Sequence, residues 1–178
     1  FDFDLEKALS VHREKKACAT LVLTEREDVG EYGVVRVGED LRVRAFSEKP
    51  AWSGVFSNLV NCGIYVLSKE AREKISAPPV DFSHDLFPQL LEEGLGLYGV
   101  PLSGYWCDIG SPASLYQCNL DALHGKVRLP FPVRGRFVGS GDTRSFLGEG
   151  VRLLRGARAE NCVIGARTTL VSSHVTDS

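Results

Sequence analysis

Two short segments hold residue types that can do chemistry. In Phe46-Ser47-Glu48-Lys49-Pro50 a carboxylate and an ammonium stand side by side just before a proline. In Gly104-Tyr105-Trp106-Cys107-Asp108-Ile109-Gly110 a single carboxylate stands between two glycines. A Lys next to a Glu can hold a phosphate and a hydroxyl of one small ligand, and an Asp is a hard oxygen donor for a divalent metal. Together they point to phosphate chemistry on a polar metabolite.

Each residue also has a plain structural reading. Glu48-Lys49 can be an exposed charged pair that ends a strand, with Pro50 stopping the pairing. In Asn61-Cys62-Gly63-Ile64-Tyr65 the amide of Asn61 can satisfy a neighbouring backbone group, or it can bind a sugar hydroxyl with Gly63 letting a ligand approach the backbone. Asp108 can bond the backbone of its own turn or hold magnesium. Gly33 can end a loop or offer its amide to a ligand. Other patterns are missing. Gly139-Ser140-Gly141-Asp142 lacks the Lys-Ser/Thr of a phosphate-binding loop, and no G-x-S-x-G elbow occurs. His12, His84, His124 and His174 lack metal-ligand spacing, and Arg152, Arg155, Arg158 and Arg167 read as a solvated face.

The elements that must position these residues alternate. Asp4 caps a helix running to about residue 16, and residues 19–24 are a short apolar strand. Residues 32–37 and 41–46 form a hairpin turning at Gly38-Glu39-Asp40. Residues 59–67 are a nearly continuous apolar strand, the pattern of a strand covered on both faces. Ser68 caps a short helix ending near Pro78-Pro79, and Ser83 caps another over residues 84–93, stopped at Gly94. Residues 97–102 are a strand. Ser111 and Pro112 start a helix that Gly125 ends. Strand and helix alternation over residues 1–125 predicts a layered α/β domain. Residues 126–150, rich in glycine and proline, read as a linker. Over residues 151–178 a six-residue step links Val151, Ala157, Val163, Thr169 and Val175, with Ile164-Gly165 and Leu170 in the same rhythm. That step is the mark of a parallel β-helix, of which only the start is present.

The bulk numbers predict one domain or one and a half with a real core. The chain has 178 residues, 43% of them hydrophobic, and a net charge of −2. That charge gives no drive toward nucleic acid or an anionic membrane, and no apolar run has the length of a membrane span. Five widely spaced cysteines without a CxxC pair predict a reduced, cytoplasmic setting with neither a zinc site nor a disulfide framework. The chain begins at Phe1 and lacks methionine, so the expectation is a piece of a longer protein.

The order and spacing of the motifs carry more than any one of them. Asp2-x-Asp4-Leu5 with His12, Ala19-Thr20-Leu21, Glu31-Tyr32-Gly33-Val34-Val35, the Glu48-Lys49-Pro50 segment, Asn61-Cys62-Gly63-Ile64-Tyr65, Asp85-Leu86-Phe87-Pro88 and the Asp108 segment resemble the sugar-phosphate nucleotidyltransferases. Mannose-1-phosphate guanylyltransferases and glucose-1-phosphate nucleotidylyltransferases look most similar. The resemblance covers residues 1–125. It implies the C-terminal part of a Rossmann-like domain with a mixed sheet, and the hexad tail resembles the left-handed β-helix of ADP-glucose pyrophosphorylases. It implies that Lys49 and Asp108 are catalytic. Lys49 would hold the sugar 1-phosphate, Glu48 and Asn61 the sugar hydroxyls, and the Gly33 amide the sugar. Asp108 would be one of two aspartates on a catalytic Mg2+.

The family's Gly-rich triphosphate signature and first metal aspartate fall before Phe1, so the isolated chain is expected to be inactive. The implied partners are a sugar 1-phosphate, a nucleoside triphosphate and, through exposed sheet edges, further copies of the chain. Two rivals are a non-catalytic sugar-phosphate sensor of the same superfamily and a hexapeptide acyltransferase or β-helix assembly module.

Overall fold

The computed structural model describes residues 1–75, 80–129 and 132–178. They form two compact units, Phe3–Ser103 and Phe1–Asp2 with Gly104–Ser178.

The first unit is built on a five-stranded mixed sheet. Its strands are β1 (Ala19–Glu25), β2 (Gly33–Val37), β3 (Val43–Glu48), β4 (Leu59–Leu67) and β5 (Leu97–Pro101), in the order β3-β2-β4-β1-β5. Only the β1–β5 pair is parallel. Six of the seven β1 residues are buried, as a central strand covered on both faces requires. Alternation along β1 separates those faces. Thr20 looks toward helix α1 (Glu6–Glu14), where its hydroxyl meets His12 Nδ1 at 2.9 Å. Leu21 and Leu23 look the other way, into a core with Val35, Leu86, Phe87, Leu90 and Leu97. Ser68 caps helix α2 (Lys69–Glu73) by accepting the Ala71 N–H; the stop expected at Pro78-Pro79 lies outside the described residues. The next helix differs from expectation. Asp81, not Ser83, is the cap, because its carboxylate accepts both the Ser83 and His84 N–H groups. A π-helical turn (Phe82–Leu86) then leads into α3 (Phe87–Glu92).

In the second unit, α4 (Pro112–Leu123) starts as expected, with Pro112 in its first turn and Ser111 and Ser114 in a reciprocal capping box. The segment read as a linker forms strands β6 (Gly135–Val138) and β7 (Ser145–Gly148), which pair antiparallel. Short strands follow: β8 (Arg152–Leu154), β9 (Arg158–Glu160), β10 (Val163–Ile164), β11 (Thr169–Val171) and β12 (His174–Thr176). They pair in parallel as β7–β10, β8–β11 and β9–β12. Leu147, Val151, Cys162 and Ile164 are their core, packed by Leu153, Ala159, Leu170 and Val175. Val151 and Ala157 are buried as the hexad predicts, but Thr169 is exposed and Leu170 points inward instead. No helix among the described residues is long and apolar enough to cross a membrane.

Candidate functional site

Strand register brings three of the five sequence-selected residues into one row. Gly33 at the start of β2 is the direct partner of Glu48 at the end of β3. One step from the Val34–Val60 pair, antiparallel register puts Gly33 beside Asn61 on β4. Asn61 in turn pairs with Leu23. Residues opposite one another share a face, so Glu48 and Asn61 flank Gly33 on the side that carries α3.

The glycine leaves the gap between them. A Cβ on Gly33 would lie 2.6 Å from Glu48 Oε2 and 2.9 Å from Phe46 Cζ. The half-buried Glu48 carboxylate therefore leans over bare backbone, and among the described residues no hydrogen bond or ion pair engages it. Lys49 follows immediately. Its N–H donates to the Tyr32 carbonyl at 3.1 Å, and its φ is +41°. A left-handed conformation is unfavourable for a side chain with a Cβ, and a following proline restricts the backbone further. Such positions cluster at ligand sites. The Lys49 side chain is exposed and forms no ion pair among the described residues.

Asn61 satisfies its own strand and keeps capacity to spare. Gly63 has a φ of +72° and sits in a bulge, where Leu21 and Leu23 of β1 face Tyr65 and Asn61 of β4. Asn61 Oδ1 accepts the Gly63 N–H at 3.1 Å, and its Nδ2 donates to the Tyr65 hydroxyl at 2.8 Å. The backbone-satisfying reading of Asn61 thus holds, while one N–H and one lone pair of the amide remain. Burial pushes the Tyr65 phenol above its ordinary range; the Asn61 bond works against that shift, and the Glu48 and Asp81 carboxylates add to it. Sequence alone gives Tyr65 no role. The bulge at Gly63 brings it to Asn61, since residues four apart on a regular strand lie about 13 Å apart.

Asp108 belongs to the second unit, where bonds at both ends anchor its loop. The Asp2 carboxylate accepts the Tyr105 N–H at 2.7 Å and the Arg128 N–H at 2.9 Å. These two backbone bonds hold the Asp2 pKa below its ordinary value. The Tyr105 hydroxyl donates to Asp121 Oδ2 at 2.9 Å, and the phenol is raised by burial and then by that bond. Burial works to raise Asp121, but bonds from Lys126, Gln117 and Tyr105 outweigh it and leave the carboxyl low. Cys107 Sγ lies 3.9 Å from the Ser114 carbonyl on α4. Between these anchors Asp108 is exposed, and among the described residues no hydrogen bond or ion pair engages its carboxylate. Among the described residues no cluster of three or more His, Cys, Asp or Glu side chains forms a metal site.

A separate open cleft of about 560 Å³ is lined by Glu25, Arg26, Glu27, Val29, Val55, Ser57 and Asn58. None of the five selected residues lines it. Charge and register favour the Glu48–Gly33–Asn61 row as the chemically equipped surface.

A family model described as nucleotidyl transferase matches residues 1–125. The glucose-1-phosphate adenylyltransferase of Bacillus licheniformis is 36% identical over 132 residues, which are 69% of this chain and 34% of that protein. The UTP–glucose-1-phosphate uridylyltransferase of Synechocystis is 35% identical over 130 residues, 71% of this chain and 34% of that protein. The glucose-1-phosphate adenylyltransferase of Bacillus cereus strain Q1 is 30% identical over 176 residues, 92% of this chain and 46% of that protein. The chain spans from 34% to 46% of these curated relatives' lengths. With the family model running through both motif segments, the chain belongs to the nucleotidyl transferase family.

Proposed function

We propose that this chain carries the sugar-phosphate side of an enzyme that joins a sugar 1-phosphate to a nucleoside triphosphate and releases pyrophosphate. The observation that carries it is the Glu48–Gly33–Asn61 row with Lys49 at its end. Glu48 accepts from sugar hydroxyls, and the remaining Asn61 N–H donates to one. The missing side chain at Gly33 lets a sugar ring approach the backbone. Lys49 holds the phosphate as a point charge, worth about 1.5–3 kcal/mol for a charge-assisted bond.

In the reaction a phosphate oxygen of the sugar 1-phosphate attacks the α-phosphorus of the triphosphate. A P–O bond forms there as the bond to pyrophosphate breaks. No covalent enzyme intermediate is required, so the protein's task is positioning and neutralisation of charge. Magnesium takes one or two carboxylates and completes its shell with water and substrate phosphates. An exposed carboxylate with no bond of its own, as at Asp108, fits that demand. Asp108 would hold the ion, whose charge would offset the repulsion between phosphate anions. The exposed Asp108 also speaks against a purely binding role, which has no use for it.

In the same proposal, the parallel pairs of the second unit begin a left-handed β-helix. Partners such as Arg152 and Thr169 are 17 residues apart, close to three hexads. Left-handed φ values at Arg155, Asn161, Arg167, Ser172 and Asp177 fall at its corners.

The test has two parts. The chain should bind glucose 1-phosphate in calorimetry, and Lys49→Ala should weaken it. In a protein carrying the complete reaction, Lys49→Ala should mainly raise KM for the sugar phosphate, and Asp108→Asn should mainly lower kcat. Wild-type behaviour of both variants would refute the assignment.

A further inference from the structure

The Asn61 carboxamide is useful to a ligand only if its free N–H and free lone pair stay aimed. A carboxamide turns about its last side-chain torsion with broad preferences. On β4 two bonds stop that motion. The Gly63 N–H can only donate, so it must face Oδ1, at 3.1 Å. That fixes which end of the amide meets Tyr65, whose hydroxyl oxygen accepts from Nδ2 at 2.8 Å.

The Tyr65 ring itself is wedged. Its centroid is 5.0 Å from that of Phe87 at 72° and 5.7 Å from that of Phe82. Phe87 also meets Phe46 edge-on at 5.6 Å, and Phe46 shares its face with Glu48, two residues on. The aromatic cluster therefore connects the packing of α3 to both polar ends of the Gly33 gap. Tyr65 accepts one bond and keeps its hydroxyl proton.

We propose that Tyr65 is a positioning residue: its hydroxyl, held by the Phe82–Phe87 cluster, fixes the Asn61 carboxamide so that the remaining N–H and lone pair recognise one sugar hydroxyl. The inference rests on the sugar-phosphate reading of the row and names where its selectivity for the sugar originates. A site built to bond a hydroxyl rejects a ligand lacking it far better than an apolar pocket rejects an extra group. That selectivity disappears if the amide is free to turn.

The experiment is a calorimetric titration of the 178-residue chain with two probes. Glucose 1-phosphate engages hydroxyl-binding groups and Lys49, whereas inorganic phosphate engages Lys49 without sugar hydroxyls. Tyr65→Phe keeps the ring and removes only the hydroxyl. It should weaken glucose 1-phosphate by about three- to tenfold, the effect of one neutral hydrogen bond, and leave inorganic phosphate unchanged. On an Asn61→Ala background the same change should have no further effect. Three results would overturn the inference while sparing the reading of the row: wild-type affinity in Tyr65→Phe, equal weakening of both probes, or a full additional loss beyond Asn61→Ala. No glucose 1-phosphate binding by the wild-type chain would overturn the reading and this inference with it. A measurement on unmutated protein guards against a poorly folded variant. An Asn61 Nδ2 proton should show a nuclear Overhauser contact with the Tyr65 ring and slowed exchange with solvent, and the absence of both would also overturn the proposal.

Discussion

Replacing Gly33 with Ala tests the row at its centre. Gly33 does not have a left-handed φ, so alanine can adopt its backbone. The strain comes from space. The new Cβ would stand 2.6 Å from Glu48 Oε2 and 2.9 Å from Phe46 Cζ. Ordinary contacts are about 3.5–4.0 Å, so the carboxylate must retreat by about 1 Å. It can do so by swinging outward, since Glu48 is only half-buried. Phe46 gives way less readily because Phe87 packs on it edge-first. Overpacking of this kind costs about 1–3 kcal/mol, and alanine in a strand recovers about 0.5–1 kcal/mol relative to glycine. Net destabilisation should therefore be small, about 0–2 kcal/mol, read as a shift in the urea midpoint.

Ligand binding should suffer more than stability. Displacing Glu48 forfeits its bond to a sugar hydroxyl, about 1.5–3 kcal/mol for a charged acceptor, or roughly ten- to a hundredfold in Kd for glucose 1-phosphate. Glu48→Ala should lose the same amount, and the double variant clearly less than the sum of the two losses, since part of the Gly33→Ala loss runs through Glu48. Inorganic phosphate should bind all three alike. Wild-type affinity in Gly33→Ala, or a full additional loss on the Glu48→Ala background, would refute the argument that the glycine exists to seat the carboxylate.

Phe87→Ala removes the centre of the aromatic cluster, a fully buried ring, and should lower the urea-derived stability of the chain by about 3–5 kcal/mol. The Asp2 clasp predicts acid sensitivity. Its folded pKa lies below the ordinary 3.8 because the Arg128 and Tyr105 N–H groups bond the carboxylate. The native state therefore binds fewer protons than the unfolded chain. The Asp2 contribution is complete above that ordinary value and fades as pH falls through the folded pKa. Asp2→Asn should remove this part of the acid profile, measured by circular dichroism, and an unchanged profile would contradict it. Burial pushes the Cys62 thiol up to about 12, so at pH 8 iodoacetamide should modify the half-buried Cys118 and spare the buried Cys62, checked by peptide mass.

The strand at Leu59–Leu67 was legible to the residue from its nearly continuous apolar run, although only Val60 and Cys62 are fully buried and its other residues are not. Its bulge was not. A glycine inside a strand signals either a bulge or a close approach, and only register decides. The cap of α3 was misplaced for a related reason. Asp81 and Ser83 both favour N-cap positions, and the π-helical turn let the earlier residue accept two N–H groups. In residues 126–150, glycine suggested looseness where it serves contact. A Cβ on Gly148 would lie 2.6 Å from the Ala166 nitrogen, and the Phe137 and Phe146 rings meet at a 58° tilt with centroids 5.1 Å apart across β6 and β7. The loop before α4 is tied to Asp2 and Asp121, and the compact unit that holds it starts at Gly104. Of the site, the residue types were readable, since they are what the chemistry needs. The Gly33–Glu48 pairing and the Asn61–Tyr65 bond depend on hairpin register and a bulge, neither of which residue type determines.

On the proposed reading, the means of fixing each group matches what it would recognise. Glu48 and Asn61 sit on paired strands, so their spacing is set by a ladder of backbone bonds, which suits hydroxyls that demand direction. Lys49 is the first residue beyond the pairing and is held by one further bond, to the Tyr32 carbonyl. A phosphate presents charge over several oxygens and tolerates an ammonium on a flexible stem. The backbone under that stem is the constrained part, with a left-handed φ before a proline. A rigid base with a mobile tip can follow a phosphate whose geometry changes as its oxygen attacks, whereas a fully fixed cation would be matched to one state only.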